Sequence, residues 1–475
     1  MVLSSPIYKL FNKYRLPLNR YDEDIYTFLQ HHFEEYEKEI STLTNLISED
    51  TIFPKSIYFE LVHQQDKIKE LCSSILKSIK AYLNGNTLVS NKILFQILNK
   101  LQDEFSSFDI KEFSNYPYDG CLYRIRSYKK DGTDYTKKEL FHPPFSEVSR
   151  IKAYRYSIAG YPCLYLGSDV NLCWVESGMP SKFAYAKFIY SNEKPFPLLD
   201  LRRSPNSIIR NLMSINCNQN CNEIVCENIK RLFITYPLIA ACSISVQDKE
   251  KNFIVEYIIP QILLTWIRQQ DKFRGIAYFS SSINEKAKIM NSHNVVIPPN
   301  RNGNQDYGEE LTRVFKLTNP TSLNLLQIYQ SEENQNLQKS ILFLKNESYK
   351  LYTQGNFSGS PLRLLFDNLD SLLLIMKKTT EEQCSSYFEI ERFLSIIMAN
   401  IRFLVEYPNH FLEIITNENK GPNQNSKEEW EKYLLDYDKI IDEINTVILE
   451  LLLPSHVVYK NIACNSAEQF FYINE

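Results

Sequence analysis

The chain has 475 residues, 44% of them apolar and 23% charged, with a formal net charge of -4. That length exceeds what one ordinary hydrophobic core organises, so roughly two to four structural units are expected, and the nearly balanced charge gives no reason to favour nucleic acid as a partner. With 12 glycines, and neither Gly-x-Gly-x-x-Gly nor a phosphate loop ending in Gly-Lys-Ser/Thr, glycine-rich phosphate cradles are disfavoured.

In chain order, Asp22 to Phe108 is helical in pattern: Ile25, Phe28, Leu29, His32 and Phe33 share one face, and Leu71, Ile75, Leu76 and Ile79 another. The texture then changes. Tyr128 to Lys138 is polar with an Asp131-Gly132 turn signal, whereas Ala184 to Tyr190 and Pro197 to Leu201 read as strands, ending in Leu-Asp-Leu. A polar Pro/Asn/Gly-rich stretch from Pro298 to Glu309 closes the mixed region, and helical periodicity resumes from Ser322. It continues through Leu325 to Leu344, Pro361 to Lys377 and Cys384 to Tyr407. Ser426 and Glu429 form a capping box for a last helix reaching about Leu453. The expected organisation is α+β: an N-terminal helical bundle (1–115), a central mixed α/β domain (116–315) and a C-terminal helical domain (316–475).

The ten cysteines lack the paired spacing of secreted scaffolds, and no leader with a basic and then an apolar region opens the chain, so a cytoplasmic location is expected. Apolar runs such as Ser371 to Met376 and Val447 to Leu453 are far shorter than the roughly 20 residues that span a bilayer, so no membrane association is expected.

Three stretches of the central region interrupt strand-like sequence with charged and aromatic groups. The first contains Tyr123-Arg124-Ile125-Arg126. The second runs from Tyr154-Arg155-Tyr156-Ser157 through Gly160 and Leu164-Tyr165-Leu166 to Glu176. The third is Phe273-Arg274-Gly275-Ile276-Ala277-Tyr278-Phe279-Ser280-Ser281-Ser282. Alone, each residue also fits an ordinary role: Arg124 and Arg155 in ion pairs, Glu176 on a solvated helix face, Tyr165 in the core.

In order and spacing these pieces resemble the RES domain, named for its Arg, Glu and Ser. Arg124 matches its opening strand. Arg155, Tyr156, Gly160, Tyr165 and Glu176 match its central pattern, with eleven residues from Tyr165 to Glu176. Ser280 or Ser281 matches its serine, and Leu199-Asp200-Leu201 its Leu-Asp-Leu. The resemblance covers about Asp119 to Pro299. It departs where the family often has Gly-Gly-Arg-Trp-Asn and this chain has Ala153-Tyr154-Arg155-Tyr156-Ser157, and where Tyr278-Phe279-Ser280 stands for Val-Pro-Ser. More loosely, the N-terminal helices resemble the HEPN-type bundles joined to such domains, but no histidine follows an arginine by five residues. A scaffold, sensing or oligomerisation role is therefore expected of them.

The resemblance implies a fold related to ADP-ribosyltransferases and an enzyme that consumes NAD⁺ by cleaving the nicotinamide–ribose bond, with water, inorganic phosphate or a macromolecule as acceptor. Glu176, Arg155 and Ser280 are the expected catalytic residues, Glu176 facing the positive charge that develops on the ribose. Arg124, with Arg155, would bind pyrophosphate or phosphate. Tyr156 and Tyr165 would stack on nicotinamide, and Ser281 is the alternative serine. The family association further implies a toxin or phage-defence effector acting by abortive infection, restrained by an antitoxin or regulatory protein through the helical parts, and a homo-oligomer. Two rivals stay open: transfer of ADP-ribose to a protein or nucleic acid, and a catalytically silent helical adaptor. No metal is expected, since Cys217, Cys221 and Cys226 lack a fourth ligand. His142 reads as a packed loop histidine near the site.

Overall fold

A computed structural model describes residues 5–324, apart from 44, 46–52, 115–119, 130–132, 169, 179, 181, 206–222, 247, 249–250, 281–292 and 304, together with 342, 346 and 469–473. Helices α1 (Pro6–Lys13), α2 (Ile25–Thr42), α3 (Lys55–His63), α4 (Gln65–Leu83) and α5 (Thr87–Lys100) open the chain. The Asp24 carboxylate caps α2 by accepting from the N–H groups of Tyr26 and Thr27, each at 3.0 Å. Behind that cap Ile25, Leu29, Phe33, Tyr36 and Ile40 recur at helical spacing and are buried.

Among the described residues nine strands form one sheet: β1 (Ser107–Asp109), β2 (Leu122–Ser127), β3 (Leu164–Gly167), β4 (Lys182–Tyr190), β5 (Pro197–Leu201), β6 (Ile276–Tyr278), β7 (Asn294–Ile297), β8 (Phe315–Leu317) and β9 (Thr321–Asn324). Their order is β1-β5-β6-β7-β3-β2-β4-β8, with β9 also on β4. The β5–β6 pair is parallel and the other pairs are antiparallel. The fold is α+β, as the sequence indicates. Short helices α6 (Ile110–Ser114), α7 (Lys137–Leu140) and α8 (Val170–Glu176) lie between strands. The longer α9 (Glu223–Cys242) and α10 (Ile258–Ile267) fall between β5 and β6, and α11 (Glu309–Val314) precedes β8.

Both faces of the sheet are apolar, because successive residues point to opposite sides. Leu198, Ala277, Val295 and Ile297 join Leu122, Leu164, Phe141 and Phe188 in one core. Leu199, Leu201, Ile276 and Val296 join the other, which α1 to α5 share with α9 and α10. Phe11 stacks on Phe233 at 4.9 Å, Tyr36 donates to the Phe233 carbonyl at 2.9 Å, and the Trp266 indole donates to Asn99 at 2.7 Å.

The expected segment limits at 115 and 315 therefore do not separate the cores. Helices α9 and α10 complete the N-terminal bundle from within the central segment, β1 lies before residue 115, and strands β8 and β9 carry the sheet on to Asn324. Ser322, where helical periodicity was expected to resume, pairs with Ala184 in the sheet. Periodicity reports which face of an element is apolar and carries no information about a partner distant in sequence. Apart from residues 342 and 346, the helices expected between 325 and 468, with the Ser426–Glu429 capping box, lie outside the described residues, while Phe471 exchanges backbone hydrogen bonds with Leu317. Among the described residues no helix is long and apolar enough to cross a membrane.

Candidate active site

The sheet parts between β2 and β3. β2 pairs with β4 along its length, from Leu122 opposite Phe188 to Ser127 opposite Phe183, but among the described residues it meets β3 at a single pair, Tyr123 with Gly167. Helix α8 starts just past the end of β3 and carries Glu176 at its last position.

One oxygen of the Glu176 carboxylate, Oε1, accepts hydrogen bonds from the Ser280 hydroxyl and, at 3.1 Å, from the Asn294 side-chain amide. Ser280 follows β6 and has no solvent exposure, and Asn294 opens β7. The antiparallel register, Tyr278 opposite Asn294, sets both donors at the same end of the sheet. Glu176 itself is exposed, so its carboxylate is oriented from behind and open in front. Burial pushes the Tyr278 phenol upward, and the charge of Glu176 pushes it further; Tyr257 is shifted the same way, with Arg155 opposing. Both phenols therefore stay protonated at neutral pH beside the carboxylate. A held, accessible carboxylate can stabilise a developing cation or accept a hydrogen bond from a sugar hydroxyl.

Arg155 is spent on the scaffold. Its guanidinium donates to the carbonyls of Cys242 at 3.0 Å and Ile244 at 2.9 Å, past the C-terminus of α9, and lies 5.3 Å from the centre of the Tyr257 ring. Charge at a helix C-terminus is favourable there, and the fork is occupied by protein. The guanidinium expected to act in catalysis or on pyrophosphate is thus bonded to two backbone carbonyls of the protein. Tyr156 is likewise engaged by the protein: 2% exposed and 4.5 Å from the Tyr278 ring, it supports the wall from within the core and offers no face for stacking.

Tyr165 is half-buried, donates to the Ser157 hydroxyl at 2.9 Å and meets the Tyr154 ring edge-on at 5.8 Å. Arg124 reaches into the same region, within electrostatic range of Tyr154, Cys173 and Tyr165, and its hydrogen bond goes to the Phe141 carbonyl at 2.7 Å. Burial, and next the like charge of Arg126, push the Arg124 pKa below its ordinary value. Ser281 lies outside the described residues, as do Cys217 and Cys221. Among the described residues no group of acidic, histidine or cysteine side chains could hold a metal.

His142 is fully buried. Nε2 accepts from the Gly308 N–H at 2.9 Å and Nδ1 meets the Pro143 carbonyl at 2.8 Å, so it is a packed loop residue. Asp200, of the Leu-Asp-Leu triplet, is bound by the Arg202 fork at 2.8 and 2.9 Å; that pairing outweighs the upward push of burial and holds its carboxyl below the usual range. Asn294 was not anticipated as a site residue. The available signal was a polar residue at the head of the buried run Val295-Val296-Ile297.

No family model matches the chain and no solved structure matches it, so the RES resemblance rests on its own residues. Over 351 residues, 71% of this chain and 75% of the relative, the sequence is 28% identical to a protein of Bacillus subtilis (strain 168) named "Putative toxin YopC".

Proposed function

We propose that the chain is a toxin whose parted sheet carries an NAD⁺-consuming site. The observation that carries this reading is the exposed Glu176 carboxylate, fixed through one oxygen by Ser280 and Asn294, at the edge of a region that also holds Arg124, which among the described residues has no carboxylate partner. The similarity to the Bacillus subtilis protein supports the toxin role, and the RES-like order of Arg124, Tyr165, Glu176 and Ser280 supports NAD⁺ as substrate.

In the proposed reaction the bond between the nicotinamide nitrogen and ribose C1′ breaks and nicotinamide leaves with the electron pair. Glu176 stabilises the cationic sugar or orients its 2′-hydroxyl. Water or inorganic phosphate then adds at C1′ and loses its proton to solvent. Arg124 holds phosphate oxygens through its fork, and Tyr165, with Tyr154, flanks the base. Arg155 and Tyr156 keep the turn that carries Tyr154 in place. An enzyme that strips NAD⁺ from the cell that makes it, as in abortive infection, needs restraint, and an antitoxin bound to the helical part would supply it.

The test is the NAD⁺ content of cells expressing the wild type and Glu176→Gln. Loss with the wild type alone is expected. Equal loss with both would remove Glu176 from the chemistry, and killing of cells whose NAD⁺ stays constant would reject the substrate.

A further inference from the structure

Strand β8 comes last in the sheet order, and an edge strand presents outward N–H and C=O groups that call for partners. The end of the chain returns to meet it. The Leu317 N–H donates to the Phe471 carbonyl at 2.9 Å and the Phe471 N–H to the Leu317 carbonyl at 3.0 Å, the reciprocal exchange of an antiparallel pair. Ile473, 2% exposed, enters the core that also holds Leu140, Phe141, Phe315 and Leu317. Lys137 lies 4.4 Å from the centre of the Phe471 ring and Lys316 4.6 Å from that of Tyr472, whose hydroxyl accepts from Ser191 at 3.4 Å.

These contacts set the tail beside a segment that supports Arg124. Lys137 opens α7, and α7 leads directly into Phe141, whose carbonyl accepts from Arg124 at 2.7 Å. With four residues and a capping box between Thr136 and Glu139, α7 is too short to hold itself, so its place depends on what packs against it. Leu140 and Phe141 supply that packing from the core that Ile473 completes. The tail itself is lightly held. One reciprocal pair of backbone bonds, one buried aliphatic side chain and rings resting on lysines oppose the conformational entropy of a chain end; Gln469 is exposed, and Phe470, Phe471 and Tyr472 are half-buried. An element held in this way opens without global unfolding.

We infer that the outer edge of β8 is a docking surface for an extended segment, that the chain's own C-terminus, 469–473, occupies it as a detachable clasp, and that the clasp positions the α7–Phe141 segment on which Arg124 is held. Recognition by strand addition takes its affinity from backbone bonds and its selectivity from seats for particular side chains. The Leu317–Phe471 pair supplies the first, and the apolar seat of Ile473 with the two lysine-backed rings supplies the second. The segment that fits is therefore extended, with aromatic side chains followed by an aliphatic one. The inference concerns a sheet edge and does not depend on the reaction proposed for Glu176.

The experiment is amide hydrogen exchange of the full chain, followed at 315–317, 137–141 and 469–473, with the paired strands β2 and β4 as internal reference. The variants are Ile473→Ala, Phe471→Pro, which lacks the N–H that pairs with Leu317, and Gln469→Ala as a control. In the wild type the tail and Leu317 are expected to exchange faster than the reference and more slowly than a free peptide of residues 469–475. In Ile473→Ala and Phe471→Pro, Leu317 and α7 should exchange about tenfold faster or more, given the usual cost of truncating a buried isoleucine, while the reference keeps its rate and Gln469→Ala matches the wild type. The same peptide added to Ile473→Ala should slow Leu317 towards the wild-type rate. A wild-type tail that exchanges as a free peptide does, or as slowly as the reference, would overturn the detachable clasp. Unchanged α7 exchange in both variants would overturn the positioning role, and a peptide without effect on Leu317 would overturn the docking surface.

Discussion

Ser280 donates to the Glu176 carboxylate from a position without solvent exposure, and in the proposed reaction its hydroxyl acts through that carboxylate more than on the substrate. Ser280→Ala should lower nicotinamide release on the order of 10- to 100-fold, since a misdirected catalytic group costs that much. It should cost about 1 kcal/mol of stability in urea unfolding, the usual net worth of one hydrogen bond. Full activity in that variant would show that Asn294 alone orients the carboxylate. Glu176 and Ser280 were each picked out from a local pattern in the sequence, and the structure brings the two side chains together. Asn294 was not, because its part depends on β7 returning antiparallel to β6, a pairing between segments 16 residues apart in register, Tyr278 with Asn294. Tyr156 misled for the converse reason: an aromatic residue beside an arginine reads as a ligand contact, yet the turn it belongs to points it into the core.

Two contacts between elements decide how rigid the site's frame is. The turn at 154–157 docks on the end of α9 through Arg155 and the carbonyls of Cys242 and Ile244. Removing it in Arg155→Ala leaves two carbonyls to find water, and a loss of about 2 kcal/mol is expected by chemical denaturation. Arg155→Lys should not restore it, because an ammonium lacks the planar fork; full recovery with lysine would mean that charge alone matters. Helices α2 and α9 meet through His32, whose Nε2 lies 2.8 Å from the Tyr236 hydroxyl. Burial pushes His32 down to about 4; Glu35 opposes the shift and Lys13 adds to it. A folded pKa below the unfolded value of roughly 6.5 means that stability is whole above that pH and is lost as the pH falls from about 6.5 towards 4. His142 adds to the same window. The melting temperature should fall across it, and His32→Gln should make the fall shallower; an unchanged slope would place the acid sensitivity elsewhere. The helical faces were readable from Ile25, Leu29 and Phe33, whereas the completion of the bundle by α9 and α10 was not, since those helices arrive from beyond the first five strands.

At the level of the molecule, one core runs from the N-terminal helices through α9 and α10 to a face of the sheet. The N-terminal bundle is therefore not expected to be dispensable: a chain lacking residues 1–105 should show no cooperative unfolding, and a soluble, cooperatively folding fragment would mean that the sheet carries a sufficient core by itself. This arrangement ties any partner bound to the helices to the site by direct packing, α9 being the element that Arg155 grips. Purified wild-type protein and Glu176→Gln, incubated with NAD⁺ in phosphate and in phosphate-free buffer, should differ in one product. Nicotinamide released by the wild type and lost with Glu176→Gln is the predicted result, with the buffer comparison separating phosphate from water as acceptor. Nicotinamide release that survives Glu176→Gln, or NAD⁺ left intact by a folded wild-type protein, would contradict the account.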